Sequence, residues 1–137
     1  MASEELPTPV TVDELLADAR AKLVRLTPAE ALAAVAAGAS IVDIRPSEQR
    51  ERDGLIPGAH VIARNVLEWR LDPRGEYRDS EVADAGGQVI VMCDEGYQSS
   101  LAAATLRRLG LDATDMIGGV QAWRDQGLPL VSASARP

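Results

Sequence analysis

Short apolar runs alternate along the chain with stretches of helical periodicity. The runs at 40–44 and 88–92 are nearly all apolar and rich in β-branched residues, as expected of strands that are buried on both faces. Two further short strands are predicted, one within 54–62 and one over 113–117. Between the strands, apolar residues recur at helical spacing, most clearly over 99–109. This alternation predicts an α/β fold, a mostly parallel sheet with helices on both faces.

Two helix starts are marked before the first strand. Thr11 with Glu14, and Thr27 with Glu30, each form the Thr-x-x-Glu pattern of a capping box. Apolar residues keep helical spacing from the first cap to Leu26, so the first helix is expected to reach that residue.

The rest of the chain fits a single domain. We predict helices at 64–70 and 120–126, and an irregular loop over the polar residues 72–84. The length corresponds to one domain. We therefore divide the chain into a lead-in and helix at 1–26, the α/β domain at 27–131 and a flexible tail at 132–137.

Charge and composition exclude several classes of partner. The formal charge of -7 argues against nucleic acid, because phosphate binding needs a basic face. No polybasic segment, no secretory signal and no run of ~20 apolar residues points to a membrane. One cysteine cannot form an internal disulfide or a structural zinc site by itself, so we expect a cytoplasmic protein without metal or cofactor. A single lysine among many arginines and alanines favours a bacterial source.

The candidate chemistry follows the clearest strand. Ligands of open parallel sheets bind beyond the carboxyl ends of the strands, and Cys93 lies at such an end. A short loop that closes onto a helix start points backbone N–H groups inward, which stabilises a thiolate. The alternative is that Cys93 is only a small buried apolar residue. The loop residues whose amides would form this cradle are Asp94, Glu95, Gly96, Tyr97, Gln98 and Ser99.

Four motifs occur in order along residues 39–130. They are Asp43-Ile44-Arg45, Ile56-Pro57-Gly58-Ala59, the loop Cys93 to Gln98 with the helix after it, and the Gly118-Gly119-Val120-Gln121-Ala122-Trp123 segment. With these motifs, residues 39–130 resemble a rhodanese-like domain.

The resemblance implies the family's fold, a five-stranded parallel sheet with helices on both faces, and its reaction. Cys93 would take a sulfane sulfur from thiosulfate or a persulfide and pass it to a thiol or to cyanide. A protein sulfur partner is a further candidate. Asp43 and Arg45 are interpreted as an ion pair that braces the loop. Rhodanese-like domains also serve as non-catalytic interaction or regulatory modules, which is the alternative reading.

The loop departs from the family in its charge. Many catalytic rhodaneses carry Arg or Lys in this loop, whereas here it carries Asp94 and Glu95, with Gln98 where Arg is frequent. We therefore hypothesise that the donor is a low-molecular-weight persulfide or a partner protein, and that Arg45 or Arg64 supplies the positive charge.

The histidine and the aromatic side chains are expected to have structural roles or to lie near the pocket. Leu55 replaces the family's His before Ile-Pro-Gly-Ala, and the sole histidine, His60, is expected to pack or to face the surface. Trp123 is predicted in the core. Tyr97 is expected to shape the entrance, and Trp69 lies either at the pocket mouth or on a helix packed against the core.

Two other enzyme classes fit the sequence less well. A cysteine phosphatase on this scaffold needs one more loop residue and an Arg that grips phosphate, usually after a His-Cys pair. Met92 precedes Cys93, and Ser99 stands where that Arg would fall. A thioredoxin-type enzyme needs a second cysteine.

Overall fold

A four-stranded parallel sheet forms the centre of the protein in a computed structural model that describes residues 5–135. The strands are β1 (Ser40–Asp43), β2 (His60–Val61), β3 (Val89–Met92) and β4 (Ala113–Asp115), in the order β2-β1-β3-β4. All three pairings are parallel, and β3 is buried at every residue, as its continuous apolar sequence predicts. The expected α/β architecture is confirmed.

Within residues 5–135 the sheet has four strands and not the expected five, and one isolated bridge extends its edge beyond β4. Leu26 pairs in parallel with Met116 outside β4, and its amide donates to the Asp115 carbonyl at 3.1 Å. The prediction of a helix through Leu26 is therefore wrong. The first helix ends at Arg20, and the backbone N–H and C=O of Leu26 pair with Asp115 and Ile117 at the sheet edge. Thr27, which precedes a proline, has an extended backbone.

Seven α-helices surround the sheet within residues 5–135. The two predicted capping boxes are present, with Thr11 starting α1 and Thr27 starting α2. The helices are α1 (Val12–Arg20), α2 (Pro28–Ala36), α3 (Ser47–Asp53), α4 (Leu67–Leu71), α5 (Ser80–Ala83), α6 (Gln98–Arg108) and α7 (Gly119–Asp125), with 3-10 turns at Arg64–Val66 and Ala133–Ala135.

The stretch predicted as an irregular loop contains α5, which corrects that prediction. Asp79 caps this helix by accepting a hydrogen bond from the Glu81 amide at 3.1 Å. Val82 and Ala83 are buried, so packing stabilises a helix too short to form by itself. The predicted 64–70 helix is also modified, because its first turn is a 3-10 turn.

Helices cover both faces of the sheet. Val89 and Val91 of β3 face a cluster that contains residues of α4, α5 and α6, whereas Ile90 and Met92 face residues of α2 and α7. Trp123 is 1% exposed within the second cluster, as predicted. Helix α1 packs on α6. No helix within residues 5–135 is both long enough and apolar enough to cross a membrane.

Candidate active site

Cys93 lies at the carboxyl end of the central strand, at the wall of an open pocket. Its side chain belongs to the core cluster beneath α6, and the residue is 6% exposed. The pocket has a volume of about 390 Å³ and is lined by Ile44, Arg45, Pro46, Gln49, Cys93, Asp94, Glu95, Tyr97 and Gln98. The strand order thus brings the end of β1 and the loop after β3 to one site.

The loop after Cys93 curls over the sulfur. The Gly96 amide donates to Cys93 Sγ at 3.2 Å, and Gly96 has a φ of +86°. A Cβ at Gly96 would lie 2.7 Å from the Gly118 nitrogen. Both the backbone conformation and the close approach therefore require glycine at this position.

Helix α7 holds the first two carbonyl groups of the loop. The Val120 amide donates to the Cys93 carbonyl at 3.0 Å, and the Gln121 amide donates to the Asp94 carbonyl at 3.2 Å. These amides belong to the first turn of α7, where they have no partner within the helix. The late Gly-Gly segment is thereby joined to the cysteine loop.

Two arginines bind a third carbonyl group of the loop, that of Gly96. Arg20 and Arg25 each donate from Nη2 to the Gly96 carbonyl at 2.9 Å. Neither residue is among those predicted for the site. No sequence signal identifies them, because they precede Gly96 by 76 and 71 residues.

The fixed carbonyl groups determine where the loop amides point. In a trans peptide the N–H points opposite to the C=O, so the N–H groups of Asp94, Glu95 and Tyr97 point away from α7 and from the two arginines. None of the three donates to an acceptor within the described part of the chain. These three residues also line the pocket.

Asp115 anchors the start of α6 behind the loop. It is fully buried and accepts hydrogen bonds from the hydroxyls of Ser99 at 2.7 Å and Ser100 at 2.8 Å. Arg25 binds the same carboxylate through two nitrogens, at 2.8 and 3.1 Å. The Ser99 hydroxyl is therefore occupied by Asp115, and Ser99 is not among the residues that line the Cys93 pocket.

The two loop acids differ in their surroundings. Asp94 accepts hydrogen bonds from Gln121 at 2.8 Å and from Arg52 at 3.0 Å, whereas Glu95 is exposed. Arg52 also binds Asp53, and this hydrogen bond, aided by one from Gln121, lowers the pKa of the Asp53 carboxyl. The same bond to Asp53 raises the pKa of Arg52. The negative charge of Asp94 is thus paired with Arg52 on α3, and Gln121 on α7 donates a further hydrogen bond to it.

Asp43 and Arg45 form a buried ion pair at the end of β1. Arg45 donates to the Asp43 carboxylate at 2.8 and 3.0 Å, and to the Gly54 carbonyl at 2.8 Å. Both side chains are inaccessible to solvent. The guanidinium is therefore committed to bracing the segment between β1 and β2, although Arg45 contributes to the pocket wall.

Arg64 is not brought into the Cys93 pocket. It lines an adjoining hollow of about 400 Å³ that shares Ile44, Arg45, Pro46 and Gln98 with that pocket. There it pairs with Glu68 at 2.9 Å. Tyr97 is exposed at the pocket rim, and Trp69 is exposed on α4. Residues 5–135 contain no cluster of three or more His, Cys, Asp or Glu that could hold a metal ion.

Comparison with known proteins identifies a family. The model of the Rhodanese-like domain matches residues 27–126. A structure from Rhodopseudomonas palustris, of a protein of unknown function called a possible tyrosine phosphatase, is 34% identical. The match covers 93% of this chain and 100% of that chain, with a TM-score of 0.81. No curated protein matches.

More distant solved structures share the fold. A rhodanese-related protein from Thermoplasma volcanium is 22% identical, with a TM-score of 0.63 and coverage of 78% of this chain and 96% of that chain. A thiosulfate sulfurtransferase from Pseudomonas aeruginosa is 23% identical, with a TM-score of 0.61. That match covers 79% of this chain and 19% of the longer protein.

Proposed function

The chain belongs to the rhodanese-like domain family, and we propose that it is a sulfurtransferase that carries sulfur as a persulfide on Cys93. The observation that carries the proposal is the hydrogen bond from the Gly96 amide to Cys93 Sγ, in a loop where the N–H groups of Asp94, Glu95 and Tyr97 point away from α7 and the two arginines. A backbone N–H that donates to a sulfur favours its anionic, nucleophilic form, and the N–H groups of Asp94, Glu95 and Tyr97 are left to bind an anion in the pocket.

The reaction proceeds in two displacements at sulfur. In the first, the Cys93 thiolate attacks the outer sulfur of the donor, a new S–S bond forms, and the donor's own bond to that sulfur breaks. Thiosulfate leaves as sulfite, whereas an organic persulfide leaves as its thiol. In the second, a thiol or cyanide attacks the outer sulfur of the Cys93 persulfide, and the Cys93 thiolate is restored.

The loop amides supply the stabilisation that these steps need. Negative charge passes between Sγ, the transferred sulfur and the leaving group, and none of these atoms has to be protonated in the transition state. Preorganised N–H groups favour such charge without reorganisation. No general base is therefore required next to Cys93.

The charges around the pocket favour an organic persulfide or a sulfur-carrying protein over thiosulfate as donor. Asp94 is paired with Arg52, but Glu95 is exposed and unfavourable for a dianion. Arg45 is committed to Asp43 and Gly54, so it does not provide the positive charge. Arg64, in the adjoining hollow, is the remaining candidate for the anionic group of a larger donor.

Mass spectrometry of the intact protein tests the proposal. The protein is incubated separately with thiosulfate and with glutathione persulfide, and the expected result is the gain of one sulfur atom. Cys93→Ser is the matched control, because the chain has no other cysteine. Transfer of the bound sulfur to cyanide, measured as thiocyanate, checks the second step. No adduct with any donor would instead favour a non-catalytic interaction module.

Phosphatase activity is the second candidate, because the Rhodopseudomonas palustris protein is called a possible tyrosine phosphatase. The loop from Cys93 to Gln98 has no arginine, and the Ser99 hydroxyl is bound to Asp115. Arg20 and Arg25 approach the outer carbonyl of the loop and not its amides. We expect no Cys93-dependent hydrolysis of p-nitrophenyl phosphate, and measurable hydrolysis would reverse the assignment.

A further inference from the structure

Two guanidinium groups lie directly behind the cysteine loop. Arg20, in the last turn of α1, and Arg25, in the segment after it, both bind the Gly96 carbonyl at 2.9 Å. Both precede residue 27, where the match to the family model begins. The loop thus receives its supporting charges from a part of the chain outside that match.

The cluster behind the loop carries an excess of positive charge. Arg25 is paired with the buried Asp115, which also receives two serine hydroxyls. Arg20 binds no carboxylate among the described residues. Its Nε donates to Ser100 Oγ at 3.1 Å, and its guanidinium carbon lies 5.6 Å from the centre of the Tyr97 ring. Two guanidinium groups and one carboxylate leave one net positive charge, held by partly buried hydrogen bonds.

This arrangement acts on the pocket through one peptide unit. The two arginines fix the Gly96 carbonyl, so the N–H of Tyr97, in the same planar peptide, is fixed in the opposite direction. The carbonyl is also polarised, which strengthens the Tyr97 N–H as a donor. An anion at Cys93 would therefore face the oriented N–H of Tyr97, with the positive charge of the two guanidinium groups on the far side of the same peptide.

We propose that Arg20 and Arg25 are positioning residues for Cys93, which supply from the N-terminal segment the positive charge that the cysteine loop itself lacks. The inference rests on the proposed function where it concerns sulfur transfer. The electrostatic part concerns the Cys93 environment alone and can be tested with any reagent that reacts with the thiol.

Arg20 is the better residue for the test. Removing Arg25 would leave the buried Asp115 without its guanidinium and would destabilise the fold. Arg20→Gln removes the charge, and Arg20→Lys keeps it. Arg107→Gln is the matched control, because Arg107 also donates to a backbone carbonyl, that of Ala113, but at the amino end of β4.

The first readout compares alkylation of Cys93 by iodoacetate and by iodoacetamide. The rate with iodoacetate divided by the rate with iodoacetamide reports how strongly the site attracts an anion, because only iodoacetate is charged. A general loosening of the loop would change both rates together and leave the ratio unchanged. We expect the ratio to fall about threefold in Arg20→Gln and to stay near the wild-type value in Arg20→Lys and Arg107→Gln. An Arg20→Gln ratio equal to that of Arg107→Gln would overturn the inference.

The second readout is the rate of sulfur uptake from glutathione persulfide. Loss of a charged hydrogen bond to the loop is expected to slow it about tenfold in Arg20→Gln and to leave it unchanged in Arg107→Gln. If wild type takes up no sulfur from any donor, the proposed function fails, and the alkylation ratio still decides whether the arginines act on Cys93. Equal uptake by Arg20→Gln and wild type would count against the positioning role.

Discussion

Gly119 lies against the carbonyl oxygen of Cys93, so closely that a Cβ at Gly119 would stand 2.5 Å from that oxygen. The Gly-Gly turn before α7 is therefore shaped to receive the cysteine loop. This contact allows the neighbouring Val120 amide to bind the same carbonyl at 3.0 Å. The family's two glycine-containing motifs at 93–98 and 118–123 form one structural unit.

We expect Gly119→Ala to distort the cysteine loop. Gly110→Ala is the matched control, because Gly110 also has a positive φ but nothing lies within 4 Å of its missing Cβ. The control should lose about 1–2 kcal/mol from backbone strain, and Gly119→Ala a further ~1–3 kcal/mol from overlap. Urea denaturation measures both, and iodoacetamide reaction rates report Cys93. Equal losses in the two variants would contradict the close contact.

Asp43→Asn is expected to destabilise the protein strongly. It leaves the Arg45 guanidinium buried without its carboxylate, a change that costs about 3–5 kcal/mol. Asp84→Asn is the control, since it breaks the exposed pair with Arg78 and should cost less than about 1 kcal/mol. Chemical denaturation at neutral pH measures the difference. A small loss in Asp43→Asn would show that the pair does not brace the segment.

Asp53 should contribute stability that depends on pH. Its pKa is lowered in the folded protein, chiefly by the hydrogen bond from Arg52 and then by Gln121. Its contribution is therefore complete above the unfolded value of about 3.9 and is lost as the pH falls through the lower folded value. Asp53→Asn should be less stable than wild type at neutral pH, and the gap should narrow below about pH 4.

The control for this experiment is Asp112→Asn, which removes a carboxylate that is 72% exposed and 3.6 Å from Arg107. Its difference from wild type should be small at every pH. Denaturant midpoints measured from neutral to acidic pH provide the data. A gap between wild type and Asp53→Asn that stays constant across this range would contradict the assigned cause.

Glu95→Arg should improve the use of thiosulfate. The substitution replaces an exposed negative charge at the pocket rim with a positive one, which favours approach of a dianion. We expect an increase of about tenfold in the second-order rate at low salt, reduced at high salt by screening. Glu81→Arg changes the net charge equally on α5 and should have little effect. Equal thiosulfate turnover by Glu95→Arg and wild type would remove the electrostatic argument about the donor.

Several elements follow from local sequence alone. The apolar run before Cys93 becomes the buried strand β3, and the patterns at Thr11 and Thr27 become capping boxes. The sequence also predicts that a loop and a helix follow Cys93. These features depend on neighbouring residues, whose spacing and hydrogen-bonding capacity can be read directly from the chain.

Other features depend on tertiary packing. Leu26 continues an apolar helical pattern, yet it pairs with Met116 because the sheet edge offers it partners. From the sequence, Arg64 is a candidate for the positive charge that binds the donor. In the structure it lies in the hollow next to the Cys93 pocket, paired with Glu68. Arg20, which nothing in the sequence marks, reaches Gly96 because α1 packs on α6.

The sequence by itself determined the alternation of strands and helices, the family and the position of the only cysteine at the end of a buried strand. Only the tertiary structure decided which groups hold the loop, namely Arg20 and Arg25 on one side and Val120 on the other. Strand and cap signals are local, whereas these contacts join residues far apart in the chain. Their formation depends on how whole elements pack, which hydrophobic periodicity does not specify.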